Sequence, residues 1–416
     1  MGKNNEKRQA ILSAAQEIFS KKGLANSTVS EIAKRANVVD SIIYHYFNNK
    51  EDLLFYALAD LMEKTNEQLS FHFKGLMGSI SHLGKMVWSH LYNNDFSSDT
   101  AWMMKNLLLE CRSNKSFYQH DGYKSLQKYC GVMRAILEKG KKQKFFRDDF
   151  NVSVVRDMIF GLLDEESLSY LLYNEINATL PDFDAIISMI LAMISVDTSD
   201  FTERIDPDAD KPNESMGIDK STKILNSAAS IFAKKGYHKA TMLEISEKAG
   251  VAEGTIYEYF KNKKDLLFSI PAKKFKVYRK DLEQIYGAKD PLEKLKCFIE
   301  KYFRVFSSDN EFLTIYLYDL KLNKQFYNIK AFSTFLNINE ILYKILDEGK
   351  KTGVFRPDLN NRIFRNLLVG SFFHLAIRWF ILNRVTPFEM LSELSEAISL
   401  LCLSATRSVK NIFGKI

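Results

Sequence analysis

One passage of 45 residues occurs twice in this chain, about half a chain apart and without a gap. Residues 11–55 and 224–268 align at a constant offset of 213, and roughly half of the aligned positions are identical. A period above 200 residues is far too long for a solenoid or a propeller, whose units recur about every 20 to 50 residues. The repeat therefore indicates that one whole protein has been duplicated and fused to itself, which gives two similar halves in 416 residues.

The similarity between the halves returns beyond the first passage. Residues 137–151 (LEKGKKQKFFRDDFN) match residues 346–360 (LDEGKKTGVFRPDLN), now at an offset of 209. Between the matching passages, residues 60–135 and 270–345 show little similarity to each other. This pattern predicts a shared task at the start of each half and different tasks in the two middles.

Apolar residues recur at helical spacing almost throughout the chain, as in Ile11, Ala14, Ile18 and Phe19. Such recurrence is typical of amphipathic helices, and only seven prolines interrupt it. The sequence therefore predicts an all-α protein. The polar segment 197–218 lacks the helical period and contains two prolines, so we expect it to be a linker between the halves.

Composition and residue spacing exclude several classes of protein. A content of 46% apolar and 26% charged residues is that of an ordinary soluble globular protein, and no run of eighteen apolar residues predicts a membrane span. The start of the chain lacks the apolar core of a secretory signal, so we expect a cytoplasmic location. The net charge of +7 permits nucleic acid binding without establishing it. We expect no metal site, because metal-ligand spacing is missing from the four cysteines and from His72, His82, His90 and His120. We also expect no catalytic site and no cofactor, because no Ser/His/Asp or paired-carboxylate arrangement stands out.

The second copy of the repeated passage contains the signals of two short helices joined by a tight turn. Thr241 and Glu244 have the spacing of a capping box at the start of a helix, Met242–Ala249. That helix stops at Gly250, and a further helix begins two or three residues later. Two short helices around a glycine turn are the helix-turn-helix arrangement.

The first copy repeats these signals with one informative exchange. Thr28 and Glu31 repeat the capping box, whereas Asn37 replaces the glycine of the turn. Asparagine is the other residue that adopts a positive φ at small cost, so the exchange respects the backbone of the turn. The second helix of each motif, Ser41–Phe47 or Gly254–Phe260, is then the predicted recognition helix.

The side chains of the two recognition helices divide into a packing set and a contact set. Four apolar residues are assigned to a small core: Ile43, Phe47, Ile256 and Phe260. Small residues at the start of each helix allow close approach to a major-groove edge, and tyrosine hydroxyls can bond phosphates or bases. An asparagine caps each following helix, which leaves the next residue, Lys50 or Lys263, to pair with a phosphate.

The repeated motif resembles the DNA-binding domain of the TetR family of bacterial transcriptional regulators. The second copy, VAEGTIYEYFKNKKDLL (251–267), is close to a family consensus, and the first, VVDSIIYHYFNNKEDLL (38–54), departs where Ser41-Ile42 replaces Gly-Thr. The motif covers about 50 residues in each half, and its double occurrence makes it specific. The resemblance implies two tandem units, each with an N-terminal three-helix helix-turn-helix DNA-binding domain and a helical effector-binding and dimerisation domain.

The expected domains follow from the repeat and the resemblance together. The DNA-binding domains are expected at 1–55 and 219–268. The helical effector and dimerisation domains are expected at 56–196 and 269–416, with the linker at 197–218 between the halves.

Carried over position by position, the family motif implies DNA contacts for fourteen residues. Contacts to the phosphate backbone are implied for Thr28, Thr241, Tyr44, Tyr257, Lys50 and Lys263. Contacts to bases are implied for Ser41, Ile42, His45 and Tyr46 in the first half, and for Gly254, Thr255, Glu258 and Tyr259 in the second. Glu258 either accepts a hydrogen bond from a cytosine amino group or points along the groove without a contact.

Members of this family act as homodimers whose helical domains pair in a four-helix bundle and present two recognition helices, about 34–36 Å apart, to successive major grooves. The C-terminal helices of each half, in which Gly161 falls opposite Gly370, are the expected pairing elements. We expect either a pseudo-dimer of the two halves inside one chain or a homodimer of tandem chains with four reading heads. Because the residues at base-facing positions differ between the copies, we also expect two unlike half-sites.

The sequence thus predicts a ligand-responsive transcriptional regulator, a repressor that binds double-stranded operator DNA through two heads and is released by a small hydrophobic effector. An aromatic excess of 31 Phe and 19 Tyr is typical of a helical core and equally of an apolar pocket between helices, so no pocket residue is named. Two alternatives stay open. One is a protein-interaction regulator whose first head no longer binds DNA, and the other is non-specific DNA packaging, which predicts a steep salt dependence without sequence preference.

Overall fold

The computed structural model describes residues 3–75, 78–95, 99–196, 219–283, 285, 290–321, 323, 325–326 and 330–408. Within these ranges the chain forms eighteen α-helices, joined in places by short 3₁₀ or π turns, and no β-strand. The prediction of an all-α fold is therefore confirmed. The predicted linker at 197–218 lies outside the described residues.

The two halves have parallel orders of helices. In the first half these are α1 (Lys3–Lys22), α2 (Val29–Arg35), α3 (Asp40–Tyr46), α4 (Lys50–His72), α5 (Ser79–Asp95), α6 (Asp99–Arg112), α7 (Tyr123–Lys142), α8 (Val152–Leu171) and α9 (Phe183–Ile194). In the second half they are α10 (Lys220–Lys235), α11 (Met242–Ala249), α12 (Glu253–Tyr259), α13 (Lys263–Glu283), α14 (Pro291–Ser307), α15 (Asn310–Ile315), α16 (Lys330–Thr352), α17 (Asn361–Ala376) and α18 (Pro387–Thr406).

Each DNA-binding head is a helical cluster around a small apolar core. In the first head α1 contributes Ile11 and Phe19, and the three helices that follow contribute Ile32, Ile43 and Leu54, all at most 1% exposed. Spacings of three, four and seven residues place such side chains on one face of each helix. The residues 213 positions further on are at most 2% exposed: Ile224, Phe232, Ile245, Ile256 and Leu267.

The similar passages 137–151 and 346–360 each contain the end of a helix and a glycine that faces a phenylalanine ring. A Cβ atom on Gly140 would lie 1.9 Å from the ring of Phe146, and a Cβ atom on Gly349 would lie 2.0 Å from the ring of Phe355. In both halves the glycine lets a buried phenylalanine fold back against the helix that carries it. This similarity therefore preserves packing at the ends of α7 and α16.

The chain divides into two compact units whose border does not follow the predicted linker. Unit 1 comprises Met1–Arg156 and Leu163–Ile187, and unit 2 comprises Asp157–Leu162 and Ser188–Ile416. Parts of α8 and α9, which belong to the first half of the sequence, therefore contribute to the compact unit built on the second half.

Two glycines bring helix backbones into contact inside unit 2. A Cβ atom on Gly161 would lie 2.3 Å from the backbone carbon and oxygen of Gly370, and one on Gly370 would lie 2.1 Å from the oxygen of Gly161. Only glycine leaves room for so close an approach of two helices. The two residues that align between the halves of the sequence thus meet in the fold.

Candidate nucleic-acid interface

Both helix-turn-helix motifs begin with a complete capping box. The amide N–H of Glu31 donates to Oγ1 of Thr28 (3.2 Å), and the amide N–H of Thr28 donates to the Glu31 carboxylate (3.1 Å). Thr241 and Glu244 make the same two bonds at the same lengths. These bonds satisfy N–H groups that the first turn of a helix leaves free, so they fix where α2 and α11 begin.

The capping glutamates are also tied to the preceding helix. Lys22 contacts Glu31 at 2.6 Å, and Lys235 contacts Glu244 in the second head. In each head the hydrogen bond from this lysine, followed by the backbone bond of the capping box, lowers the pKa of the glutamate below its ordinary value. The glutamates therefore serve the heads as ionised caps.

The turn between the two short helices has the predicted backbone in both heads. Asn37 has a φ of 54° and Gly250 has a φ of 62°, both in the left-handed region. Asparagine and glycine are the residues that enter this region at least cost. The prediction that Asn37 replaces the glycine without changing the turn is confirmed.

The recognition helices begin and end one residue earlier than predicted. They are α3 (Asp40–Tyr46) and α12 (Glu253–Tyr259), because Phe47 and Phe260 have extended backbones, with φ near −136° and −134°. The four residues assigned to packing are at most 5% exposed: Ile43, Phe47, Ile256 and Phe260. Their assignment to a core is confirmed.

None of the fourteen residues expected to contact DNA is buried. Nine are exposed, namely Thr28, Ser41, Tyr44, His45, Thr241, Gly254, Tyr257, Glu258 and Tyr259. Five are half-buried, namely Ile42, Tyr46, Lys50, Thr255 and Lys263. Tyr44 and Tyr257 are 57% and 49% exposed, which is high for large aromatic residues and leaves their hydroxyls accessible to a ligand.

The two lysines expected to hold phosphates have partners inside their own heads. The ammonium of Lys50 donates to the carbonyl oxygens of Leu24 (2.7 Å) and Ser27 (2.8 Å). Lys263 donates to the carbonyl oxygen of Ala240 at 3.0 Å. Both lysines therefore hold the loop that precedes the capping box. An ammonium has three donors, so a phosphate contact stays a prediction for each lysine.

Tyr46 is held in a way that the sequence did not suggest. Its hydroxyl donates to the carbonyl oxygen of Asn4 (3.1 Å) and also contacts the side-chain oxygen of that residue, in the first turn of α1. The corresponding Tyr259 is 46% exposed, and α10 begins only at Lys220. The N-terminal turn of α1 thus lies beside the first recognition helix, a placement with no described counterpart in the second half.

The helical domains contact the heads through residues that sequence reasoning missed. In each half an asparagine caps a short turn: Asn114 accepts from the N–H of Ser116, and Asn323 accepts from the N–H of Gln325, both at 3.0 Å. The turn buries a phenylalanine against the long helix after the head, with ring centroids 5.3 Å apart for Phe117–Phe55 and 6.3 Å for Phe326–Phe268. The signal was present in the sequence as Asn-Lys-x-Phe-Tyr at 114–118 and 323–327, again at the offset of 209.

A second contact reaches the loop at the end of α1. The carboxylate of Glu110, on α6, accepts a hydrogen bond from the backbone N–H of Leu24 at 2.9 Å. A Cβ atom on Gly23 would lie 2.6 Å from that carboxylate, so the glycine makes room for it. Glu110 therefore connects the helical domain to the loop that Lys50 also holds.

The described residues contain neither a candidate metal site nor a membrane-spanning helix. No group of three or more His, Cys, Asp or Glu side chains in the described ranges is arranged to hold a metal ion. None of the helices described has the length and apolar character needed to cross a membrane.

The two heads and their helical domains define a class, the helix-turn-helix DNA-binding regulators. The sequence model of a family described as "Bacterial regulatory proteins, tetR family" matches residues 11–57 and 224–270. A second, described as "YsiA-like protein, C-terminal region", matches residues 58–191 and 273–404. Because these matches cover well over half of the chain, the protein belongs to the TetR family and carries two copies of its domain pair.

Known proteins with similar sequences are transcriptional regulators, not enzymes. The "Fatty acid metabolism regulator protein" of Bacillus subtilis is 30% identical over 161 residues, which are 38% of this chain and 83% of that protein. The "HTH-type transcriptional repressor NicS" of Pseudomonas putida is 27% identical over 183 residues, 43% of this chain and 81% of that protein.

Solved structures of transcriptional regulators also match. The transcriptional regulator FadR from Bacillus subtilis in complex with stearoyl-CoA has 26% identity and a TM-score of 0.39, over 44% of this chain and 97% of that one. The fatty acid degradation regulator FadR from Bacillus halodurans has 27% identity and a TM-score of 0.41, over 45% of this chain and 97% of that one.

Proposed function

We propose that the protein is a ligand-responsive repressor that binds operator DNA with both heads. The observation that carries this proposal is that each half has a complete helix-turn-helix motif whose predicted contact residues are exposed or half-buried, while its apolar residues are buried. The alternative in which the first head has lost DNA binding is not favoured, because that head keeps the capping box, the left-handed turn and an exposed Tyr44.

We propose further that the two halves pair within one chain as a pseudo-dimer. Contacts inside unit 2 support this, because they join α8 and the segment 188–195 of the first half to residues of the second half. Besides the two glycines, Arg356 donates to Oγ of Ser188 at 2.5 Å, and Arg407 donates to the carbonyl oxygen of Ser195 at 3.3 Å. Arg356 is 4% exposed, so this bond between the halves is shielded from water.

Sedimentation distinguishes the pseudo-dimer from a homodimer of tandem chains. At micromolar concentration a pseudo-dimer is expected to sediment with the mass of one chain, 48.1 kDa. A particle of twice that mass would refute a purely intramolecular pair and favour four reading heads.

The operator is expected to have two unlike half-sites. The base-facing positions differ in side-chain size and charge: Ser41 against Gly254 and His45 against Glu258. Tyr46 is tied to the N-terminal turn of α1, whereas Tyr259 is exposed. Selection of sites from random DNA tests this proposal, and recovery of perfect palindromes by a single chain would refute it.

Matched variants test whether both heads bind. Tyr44→Ala and Tyr257→Ala remove exposed side chains at equivalent positions, so each is expected to weaken operator binding with little effect on folding. Lys50 is unsuitable for this test, because its bonds to Leu24 and Ser27 make it part of the fold. If Tyr44→Ala leaves operator affinity unchanged while Tyr257→Ala lowers it, the first head does not read DNA.

The effector is proposed to be a hydrophobic molecule with an acidic group, bound in the helical domain of the first half. That domain has a cleft of about 380 Å³ between α4, α5 and α7, lined by Leu69, Trp88 and Tyr129 among others, which is within the range of small-molecule sites. Lys85 lies 3.8 Å from the centre of the Trp88 ring and supplies a positive charge. The name of the Bacillus subtilis relative, a fatty acid metabolism regulator, supports an acyl-type effector.

The effector proposal is tested by operator release. A long-chain acyl-CoA is expected to release the operator, whereas coenzyme A alone is not, because release requires tighter binding to the DNA-free state than to the DNA-bound state. Trp88→Ala is expected to weaken the response, and Phe71→Ala, an exposed position on α4, is the control. If both variants respond to the acyl-CoA equally, the effector binds outside this cleft.

A further inference from the structure

One carboxylate joins the end of the first recognition helix to the helical domain of the same half. Asp52, in the first turn of α4, accepts a hydrogen bond from the backbone N–H of Asn48 (2.7 Å), two residues after α3 ends. Its other oxygen accepts from Nε2 of His120 (2.7 Å), just before α7. The side chains of Asp52 and His120 are 9% and 19% exposed, so water competes weakly for either bond.

The surroundings of His120 determine which ring nitrogen donates. The backbone N–H of Gly122 donates to Nδ1 at 2.9 Å, so Nδ1 is the acceptor and Nε2 carries the proton toward Asp52. The ring packs on Phe55 and Tyr56, with centroid distances of 5.0 and 4.8 Å. A Cβ atom at position 122 would lie 2.7 Å from the carbonyl oxygen of Phe55, so glycine is needed for α7 to approach α4 this closely.

The second half provides an internal comparison. Its head keeps the acid, because Asp265 accepts from the backbone N–H of Lys261 at 2.9 Å as Asp52 does from Asn48. Its helical domain keeps the asparagine-capped turn and the buried Phe326. At the offset of 209, however, the residue aligned with His120 is Ile329, whose side chain has no hydrogen-bond donor.

We infer that His120 is a positioning residue for the first recognition helix, acting through Asp52, a bond that the isoleucine aligned with it in the second half cannot make. The inference rests on the proposed function, because the position of a recognition helix matters for reading DNA. Both heads are held to their helical domains by a phenylalanine, but apolar contact is non-directional. The hydrogen bond from His120 to Asp52 is directional, so it additionally fixes the orientation of the segment that joins α3 to α4. A movement of the α7 start is therefore transmitted to the first head through this bond.

Hydrogen exchange of the full chain without DNA tests this inference directly. His120→Ile, which introduces the residue of the other half, is expected to speed amide exchange over residues 40–52 by roughly tenfold, the effect of losing one charge-assisted hydrogen bond from the closed state. Exchange over residues 253–265, in the second head, is expected to be unchanged. His120→Gln keeps an N–H donor for Asp52 and is expected to restore most of the protection.

Three results would overturn the inference. The first is unchanged exchange at 40–52 in His120→Ile, and the second is equal loosening by the isoleucine and glutamine variants. The third is an equal increase in both heads, since that would make His120 a general structural residue. Affinity for DNA carrying only the first half-site should fall about three- to tenfold in His120→Ile, with the second half-site unaffected. Failure of wild-type protein to bind any operator would refute the proposed function and leave the exchange result as a separate measurement.

Discussion

Adding one methyl group at the crossing of α8 and α17 is expected to destabilise the protein, although the same change helps most helices. In Gly161→Ala the new Cβ atom would lie 2.3 Å from backbone atoms of Gly370 and 2.8 Å from the backbone nitrogen of Ser371. Because the obstacle is backbone, the helices must separate, which costs about 3 kcal/mol, the upper part of the range for overpacking. Alanine has the higher helix propensity, which offsets about 1 kcal/mol of this cost. The free energy of unfolding is therefore expected to fall by about 2 kcal/mol.

Gly131→Ala is the matched control for this prediction. Gly131 is an exposed position inside α7, and a Cβ atom there would meet nothing within 4 Å. This variant is expected to gain up to about 1 kcal/mol. The measurement is the urea and thermal unfolding of both variants beside wild type. If Gly161→Ala is as stable as Gly131→Ala, the two backbones do not meet and the pairing of α8 with α17 is wrong. Gly370→Ala should lower the free energy of unfolding by a similar amount. The double variant should lower it by less than the sum of the two single changes, because the two sites touch.

Three further predictions concern single residues. Gly250→Ala is expected to destabilise the second head by about 1 kcal/mol in thermal unfolding, because alanine must adopt the left-handed backbone at φ 62°; an unchanged midpoint would contradict this. Lys144 has a φ of 59°, a backbone that favours glycine, so Lys144→Gly is expected to raise the free energy of unfolding by about 0.5–1 kcal/mol in the same assay. A lower free energy of unfolding would show that the lysine side chain matters more than the backbone. Asp60 is partly buried, which opposes its ionisation, but hydrogen bonds from Lys64 and Gln16 still hold its pKa below the ordinary value of 3.8. A carboxyl whose pKa is lower in the folded state stabilises the fold above its unfolded pKa, and this stabilisation is lost as pH falls through the folded pKa. Asp60→Asn is therefore expected to lower the free energy of unfolding at pH 7 and to have no such effect at acidic pH. A difference in unfolding free energy that does not change with pH would refute the assignment.

Local sequence patterns are enough to predict the two DNA-binding heads. Thr28 and Thr241 begin their helices, and Asn37 and Gly250 take positive φ, as the pattern predicted. These features were readable because capping boxes and left-handed turns depend on residues within four positions of each other. The burial of Ile43 and its counterparts was readable for the same reason, since helical spacing alone decides which face is apolar.

The connection of the heads to the rest of the chain depends on contacts that exist only in the folded protein. Lys50 faces two carbonyl groups, Tyr46 reaches Asn4, and His120 reaches Asp52 across 68 positions of sequence. The fold also places Asp157–Leu162 within the compact unit of the second half. No local pattern fixes such contacts, because their partners are distant in the chain and are brought together by helix packing. A duplicated sequence therefore specified two similar heads, whereas contacts between residues distant in the chain attach each head to its helical domain.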